Sequence, residues 1–291
     1  MEEITIETTG TGMTTSAIGK TIEYDVKTNI IYFTTGCNLA CTYCYEALDE
    51  KKGVVTSRED LKRIADETIE REPDDKQTFF ELFGGEPTLV WENVEYFMDY
   101  AYSLKKDVYF EMITNGIKFK DDEFMFQVYN NKHVKEGRVS ISISYDGLEG
   151  NVDRIYRGGK SSTMTVVEVL AKLTALDFKF RVRYTIHKKN ILHMMDDIKK
   201  LNKHFTPERI ITSEVNEQYD ISDWELLRKN YTTLKYMWQQ NEIQIPICDV
   251  FCESCDGCGI RRDNLQYFVG DKEFNKKAYS EIEFNHFEIK D

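Results

Sequence analysis

From about residue 30 the chain alternates short, β-rich apolar runs with stretches in which apolar residues recur every three or four positions. The runs at 30–34, 78–82, 108–113, 139–144, 180–186 and 209–212 predict strands, short and rich in β-branched and aromatic residues. Helical patterns fill the intervals. Ser57 and Asp60 make a capping pair ahead of Leu61, Ile64 and Ala65, while Val94, Phe97, Met98 and Ala101 recur at helical spacing. Strand and helix in regular alternation predict an α/β fold of parallel strands joined by crossover helices.

The fourth and fifth runs each have two unlike faces. Val139, Ile141 and Ile143 alternate with Ser140, Ser142 and Ser144, and Phe180, Val182, Tyr184 and Ile186 alternate with Arg181, Arg183 and Thr185. A parallel strand covered on both sides reads apolar throughout, so polar alternation in two successive strands predicts a face turned to a wet or ligand-filled space. Six units are fewer than the eight of a closed barrel. The expected architecture is therefore a partial, laterally open (β/α)6 TIM-like barrel over 29–220, preceded by an N-terminal segment, 1–28. Residues 221–291 supply a helix and a small C-terminal cysteine-rich extension. An open doubly wound sheet with a solvent-facing edge strand is the alternative.

The formal charge of -13 over 291 residues argues against nucleic acid as a partner, since such binding draws on clustered Lys and Arg. The longest apolar runs are strand-sized, which predicts no membrane span. Seven cysteines follow an N-terminus, Met1-Glu2-Glu3-Ile4-Thr5, that has no basic-then-apolar pattern. Reduced thiols in the cytoplasm, available to metal, are expected.

Cys37, Cys41 and Cys44 are spaced C-x-x-x-C-x-x-C just beyond the first strand. One tight loop with that spacing presents three sulfurs to three corners of a cube, and a [4Fe-4S] cluster held by three cysteines keeps one iron open to a small molecule. Gly84-Gly85-Glu86-Pro87 follows the second strand, where bared backbone and the Glu86 carboxylate suit an ammonium group. Thr114-Asn115-Gly116 ends the third strand and Ser142-x-Ser144-x-Asp146-Gly147 the fourth. These are strand C-terminal ends, where barrel sites lie.

In this order, the stretch from Gly36 to Tyr45 and the motifs after it resemble the signature of the radical S-adenosylmethionine (SAM) enzymes over about 30–215. The resemblance implies that the open iron chelates the SAM amino and carboxylate groups and that Tyr43 lies against the adenine. It implies that Gly84, Gly85 and Glu86 meet the SAM amino group, with Asn115 in the same cofactor-binding set. A serine of the run Ser142, Ser144 and Asp146 would bond the ribose or carboxylate, and Arg183 would pair with the carboxylate. Read from the residues alone, the serines are equally sheet-lining hydroxyls and Arg183 a structural ion pair. The resemblance is closest to the peptide- and protein-modifying branch, because Asp146-Gly147 is followed by Asp153, Arg157 and Gly158-Gly159-Lys160. Residues 1–28 are too few for the leader-binding domain usual in that branch.

Cys248, Cys252, Cys255 and Cys258 repeat the close spacing near the other end. Four thiolates fit a fully ligated auxiliary [4Fe-4S] cluster or an all-cysteine zinc site, although zinc ligands usually form two knuckles with a longer spacer. The stretch from Leu265 to Phe274 reads as a hairpin turning at Gly270-Asp271. It resembles the SPASM or shortened twitch extension, without the cysteine that follows the hairpin there. Histidines 133, 187, 193, 204 and 286 form no ligand spacing and read as packing or surface residues.

The function implied is reductive cleavage of SAM to a 5'-deoxyadenosyl radical that abstracts hydrogen from a peptide or protein side chain. A flavodoxin- or ferredoxin-like electron donor is the expected partner. Modification of a nucleotide, sugar or other small molecule is the alternative, and a non-catalytic iron–sulfur electron-transfer protein a third reading.

Overall fold

The computed structural model describes residues 28–44, 53–148, 153–215 and 217–247, together with the backbone of four short strands outside these spans. Strands β1 (Met13–Ala17) and β2 (Lys20–Tyr24) make an antiparallel hairpin apart from the main sheet. All six expected strands are present as β3 (Thr28–Tyr32), β4 (Thr78–Phe83), β5 (Val108–Thr114), β6 (Val139–Tyr145), β7 (Arg181–Ile186) and β8 (Ile210–Glu214). They pair in parallel and in chain order. A doubly wound sheet needs a point where that order reverses. Here none occurs among the six, and β8 does not close onto β3, so the fold is the unclosed (β/α)6 barrel.

Helices α1 (Arg58–Arg71), α2 (Trp91–Leu104), α3 (Asp122–Asn130), α4 (Lys132–Lys135), α5 (Thr163–Ala175) and α6 (Met194–His204) fill the crossovers, and α7 (Ile221–Gln239) follows β8. The expected signals act as caps and faces. Ser57 accepts the Asp60 amide at 3.1 Å to start α1, whose Leu61, Ile64 and Ala65 are buried. Phe97 of α2 is fully buried and meets Phe33 and Phe80 edge-on at 5.7 and 5.1 Å. Asp220 and Asp223 form a reciprocal capping box on α7. No helix among the described residues is long and apolar enough to cross a membrane.

Two features differ from the expectation. The first strand ends at Tyr32, because Thr34 turns away to bridge Val55 in antiparallel fashion. The C-terminal hairpin, β9 (Gln266–Val269) and β10 (Lys272–Glu273), does not stand alone. β9 lies parallel along the outer edge of β3, opposing Asn29 to Gln266, and extends the sheet to eight strands. At the opposite edge a parallel bridge joins Ile210 to Ile247. Cys248, Cys252, Cys255 and Cys258 lie outside the described residues.

Candidate active site

The loop that follows β3 is built for close approach. Gly85 donates its amide to the Thr34 carbonyl at 2.7 Å. Gly84 has φ +135, and a Cβ there would stand 2.4 Å from the Thr34 carbonyl oxygen, while a Cβ on Gly85 would stand 2.4 Å from that of Gly36. Only glycines allow the end of β4 to pack on this loop. Beyond it, Cys37, Cys41 and Cys44 are unpaired and half-buried.

The cysteine loop is held by the segment at residues 153–157. Ala40 and Thr42 donate their amides to the carbonyls of Ile155 and Asp153 at 2.7 and 2.9 Å, and Leu39 bridges Tyr156. Arg157 caps the Cys37 carbonyl with Nη2 at 2.9 Å. The Cys37 sulfur receives the Leu39 amide at 3.4 Å and Asn115 Nδ2 at 3.7 Å. Burial pushes the Cys37 thiol up and the Cys41 thiol up to about 11, so in the bare protein these stay protonated at neutral pH.

Glu86 is 1 % exposed and accepts four hydrogen bonds from the protein. Its Oε1 accepts the Thr88 amide at 3.1 Å and the hydroxyls of Thr88 and Thr114 at 2.6 Å, and Oε2 accepts the Asn115 amide at 2.7 Å. Burial raises its pKa and these bonds oppose the rise. The carboxylate therefore ties the ends of β4 and β5 together beneath the cysteine loop, which Asn115 reaches through Asn38 Oδ1 at 2.7 Å.

The polar faces of β6 and β7 converge as expected, but on carboxylates that the strand pattern did not single out. Ser142 is fully buried and donates to Glu111 Oε1 at 2.7 Å. The same oxygen lies 3.8 Å from Arg181 Nη1 and 3.8 Å from Arg183 Nη2. Arg183 also donates to Ser213 Oγ at 3.3 Å. Glu81, in register with Glu111 on β4, is pushed up to about 7 by burial, with Arg183 pulling it down and Glu111 pushing it up. Among the described residues Arg183 Nε and Nη2 and Arg181 Nε are buried without an acceptor. Ser144, 8 % exposed, opposes Arg183 across the strand pair.

At the mouth, Tyr43 donates its hydroxyl to Asp146 Oδ2 at 2.5 Å, and Arg154 Nε donates to Asp146 Oδ1 at 2.9 Å. Both Asp146 and Arg154 are buried. His187 stacks on Tyr43 with ring centroids 5.9 Å apart, its two ring nitrogens buried and without a hydrogen bond among the described residues, Nδ1 standing 3.6 Å from Asp153 Oδ2. Burial lowers its pKa and keeps it neutral at pH 7. The turn after Asp146 is fixed from behind by Asp197, which accepts the Leu148 amide at 2.9 Å. Gly147 has φ +91, and a Cβ there would stand 2.0 Å from Asp197 Oδ2.

The sequence motifs thus meet at one end of the barrel, joined by Arg154, Glu111, Glu81 and His187, which sequence reasoning missed. His187 alone carried a signal, because it directly follows Ile186 at the C-terminal end of β7.

A barrel of this kind, with three free thiols on the loop after its first strand, defines a metallocofactor-dependent enzyme fold. Residues 31–201 match the Radical SAM superfamily, and the chain belongs to it. It is 28% identical over 167 residues to the antilisterial bacteriocin subtilosin biosynthesis protein AlbA of Bacillus subtilis, covering 57% of this chain and 34% of AlbA. It is 25% identical over 217 residues to the cysteine-type anaerobic sulfatase-maturating enzyme of Clostridium novyi, covering 68% and 54%. An uncharacterized protein of Methanocaldococcus jannaschii matches at 27% over 176 residues, 59% of this chain and 57% of that one. The matches therefore span between about a third and three fifths of these relatives. Among solved structures the fold is similar to that of anSMEcpe with bound AdoMet, with a TM-score of 0.63 at 20% identity over 76% of this chain and 63% of that chain.

Family membership implies a [4Fe-4S] cluster and SAM, and the residues fit both. Among the described residues no three His, Cys, Asp or Glu side chains gather around a single metal ion. The N–H groups directed at the Cys37 sulfur fit a cluster ligand. The orphaned guanidinium N–H groups of Arg181 and Arg183 fit a carboxylate.

Proposed function

We propose that this protein cleaves SAM reductively and abstracts hydrogen from a peptide or protein side chain. The observation that carries the reading is the thiol loop itself, clamped by the ends of β4 and β5 on one side and by residues 153–157 on the other. The relatives, a bacteriocin biosynthesis protein and a sulfatase-maturating enzyme by name, support a polypeptide substrate.

In this reading Cys37, Cys41 and Cys44 hold the cluster, which, with SAM bound, supplies the electron and the primary radical. Glu86 Oε2, which receives one donor where Oε1 receives three, keeps an acceptor position for the SAM amino group beside Gly84 and Gly85. Arg183, with guanidinium N–H groups that lack a hydrogen bond, pairs with the SAM carboxylate, a serine of Ser142 and Ser144 bonds the ribose or carboxylate, and Asn115 joins the cofactor-binding set. Tyr43, steadied by Asp146, lies against the adenine. Cys248, Cys252, Cys255 and Cys258 hold an auxiliary cluster, and the electrons come from a flavodoxin- or ferredoxin-like protein in the cytoplasm.

The test is anaerobic reconstitution with iron and sulfide, then reduction in the presence of SAM and of short peptides encoded beside the gene. The expected result is 5'-deoxyadenosine formed slowly alone and faster with a peptide that gains or loses mass. SAM left intact by reduced, iron-loaded protein overturns the reading. Turnover with a small molecule and none with any peptide overturns the substrate class.

A further inference from the structure

Arg154 belongs to none of the expected ligand sets, yet it is 7 % exposed and stands beside the middle cysteine. The amides of Ala40 and Thr42 bond the carbonyls of Ile155 and Asp153, and Leu39 pairs with Tyr156. In an antiparallel register so fixed, Cys41 lies directly opposite Arg154, where side chains share a face. The guanidinium does not point into solvent. Its Nε meets Asp146 Oδ1 at 2.9 Å, its Nη2 meets Thr185 Oγ1 at 3.4 Å, and its carbon stands 5.9 Å from the Tyr43 ring centroid. Asp146 itself is 0 % exposed.

A cation and an anion are thus buried together against the loop that carries the three thiols. The neighbouring Asp153 is already engaged by Lys189 Nζ at 2.7 Å and the Thr42 hydroxyl, with His187 Nδ1 at 3.6 Å. The guanidinium keeps its charge in proteins, and the Asp146 carboxylate bonded to it at 2.9 Å compensates that charge.

We propose that Arg154 and Asp146 are a matched charge pair that sets the reduction potential of the cluster held by Cys37, Cys41 and Cys44. This rests on the cluster reading above. Reduction adds one electron to the cluster, and nearby net charge is among the factors that fix the potential at which it enters. Charges buried as Arg154 and Asp146 are act more strongly on their neighbours than exposed ones do. A lone Arg154 would ease reduction and a lone Asp146 would hinder it. Together they nearly cancel, and the pair also fixes Tyr43 without adding net charge beside it.

The test is a redox titration of the reconstituted protein, without SAM, followed by the electron paramagnetic resonance of the reduced cluster, with iron counted in each variant. Arg154→Gln leaves Asp146 uncompensated and is expected to lower the potential. Asp146→Asn leaves Arg154 uncompensated and is expected to raise it. Each shift should be at least about tenfold in the ratio of oxidised to reduced cluster at fixed potential, which is 59 mV for one electron. The double variant is expected close to the unaltered protein, and Arg154→Lys likewise.

Opposite shifts that cancel in the double variant are not produced by a merely structural tether, which would disturb the cluster in one direction. Single variants that both move the potential the same way, or leave it unmoved with iron retained, overturn the proposal. So does loss of the cluster in all four variants. The signal retained by the variant with Cys37→Ala, Cys41→Ala and Cys44→Ala combined belongs to the C-terminal cysteines and is subtracted; if that variant keeps all the signal and all the iron of the unaltered protein, the cluster reading falls first and this proposal with it.

Discussion

A buried carboxylate inside the barrel gives the clearest single-residue test. Glu81 is 3 % exposed, and burial raises its pKa from 4.5 to about 7. Its protonated form is the one the native state favours, so its contribution is complete below about pH 4.5 and is lost as pH rises through about 7. Glu81→Gln should therefore gain on the unaltered protein from pH 5 to pH 8, by up to about 3 kcal/mol at 1.36 kcal/mol per pH unit. Denaturant titrations at the two pH values check this, and an equal gap at both refutes it. Arg183→Gln is expected to weaken SAM binding by about 1.5–3 kcal/mol, the range for a hydrogen bond to a charged group, as measured by equilibrium dialysis of the reconstituted protein. Gly147→Ala should cost at least about 2 kcal/mol of stability, because the residue is left-handed and its new methyl meets Asp197. The cysteine trio and the two glycines before Glu86 were legible in sequence because spacing alone marks them. Glu111 and Arg154 were not. A polar residue in a strand declares which face it takes, while what stands opposite depends on a register fixed by distant residues.

At the scale of elements, hydrophobic period located all six barrel strands and the buried faces of α1 and α2, and Ser57 with Asp60 marked the start of α1, since these depend on neighbours within a few residues. The same packing makes α2 a test of the outer layer. Phe97 is 0 % exposed, with Phe33, Phe80 and Phe110 rings around it, so Phe97→Ala should cost about 3–5 kcal/mol in a denaturant midpoint without altering SAM contacts. Two pairings escaped the local signals. The stretch at residues 153–157 pairs with the cysteine loop across more than a hundred residues, and β9 pairs with β3 across more than two hundred. Neither segment carries, in itself, a mark of its partner.

For the whole molecule, the decisive quantity is metal content. With two [4Fe-4S] clusters the reconstituted protein should hold about eight irons, and the variant lacking all three thiols of the first loop about four. One tightly held zinc in that variant, with no iron, would assign the C-terminal cysteines to a structural zinc site. The placement of β9 adds a consequence in time. β3 emerges from the ribosome early and aims the cysteine loop, but its outer edge gains its neighbour only when residues 266–269 have been made. At the usual pace of translation that wait is roughly 10–50 s. Throughout it, the nascent barrel shows one bare row of backbone donors and acceptors, the kind of edge through which chains stick to one another. Slowing translation downstream of α7 should accordingly lower the soluble yield of the protein while leaving each soluble molecule's iron content unchanged.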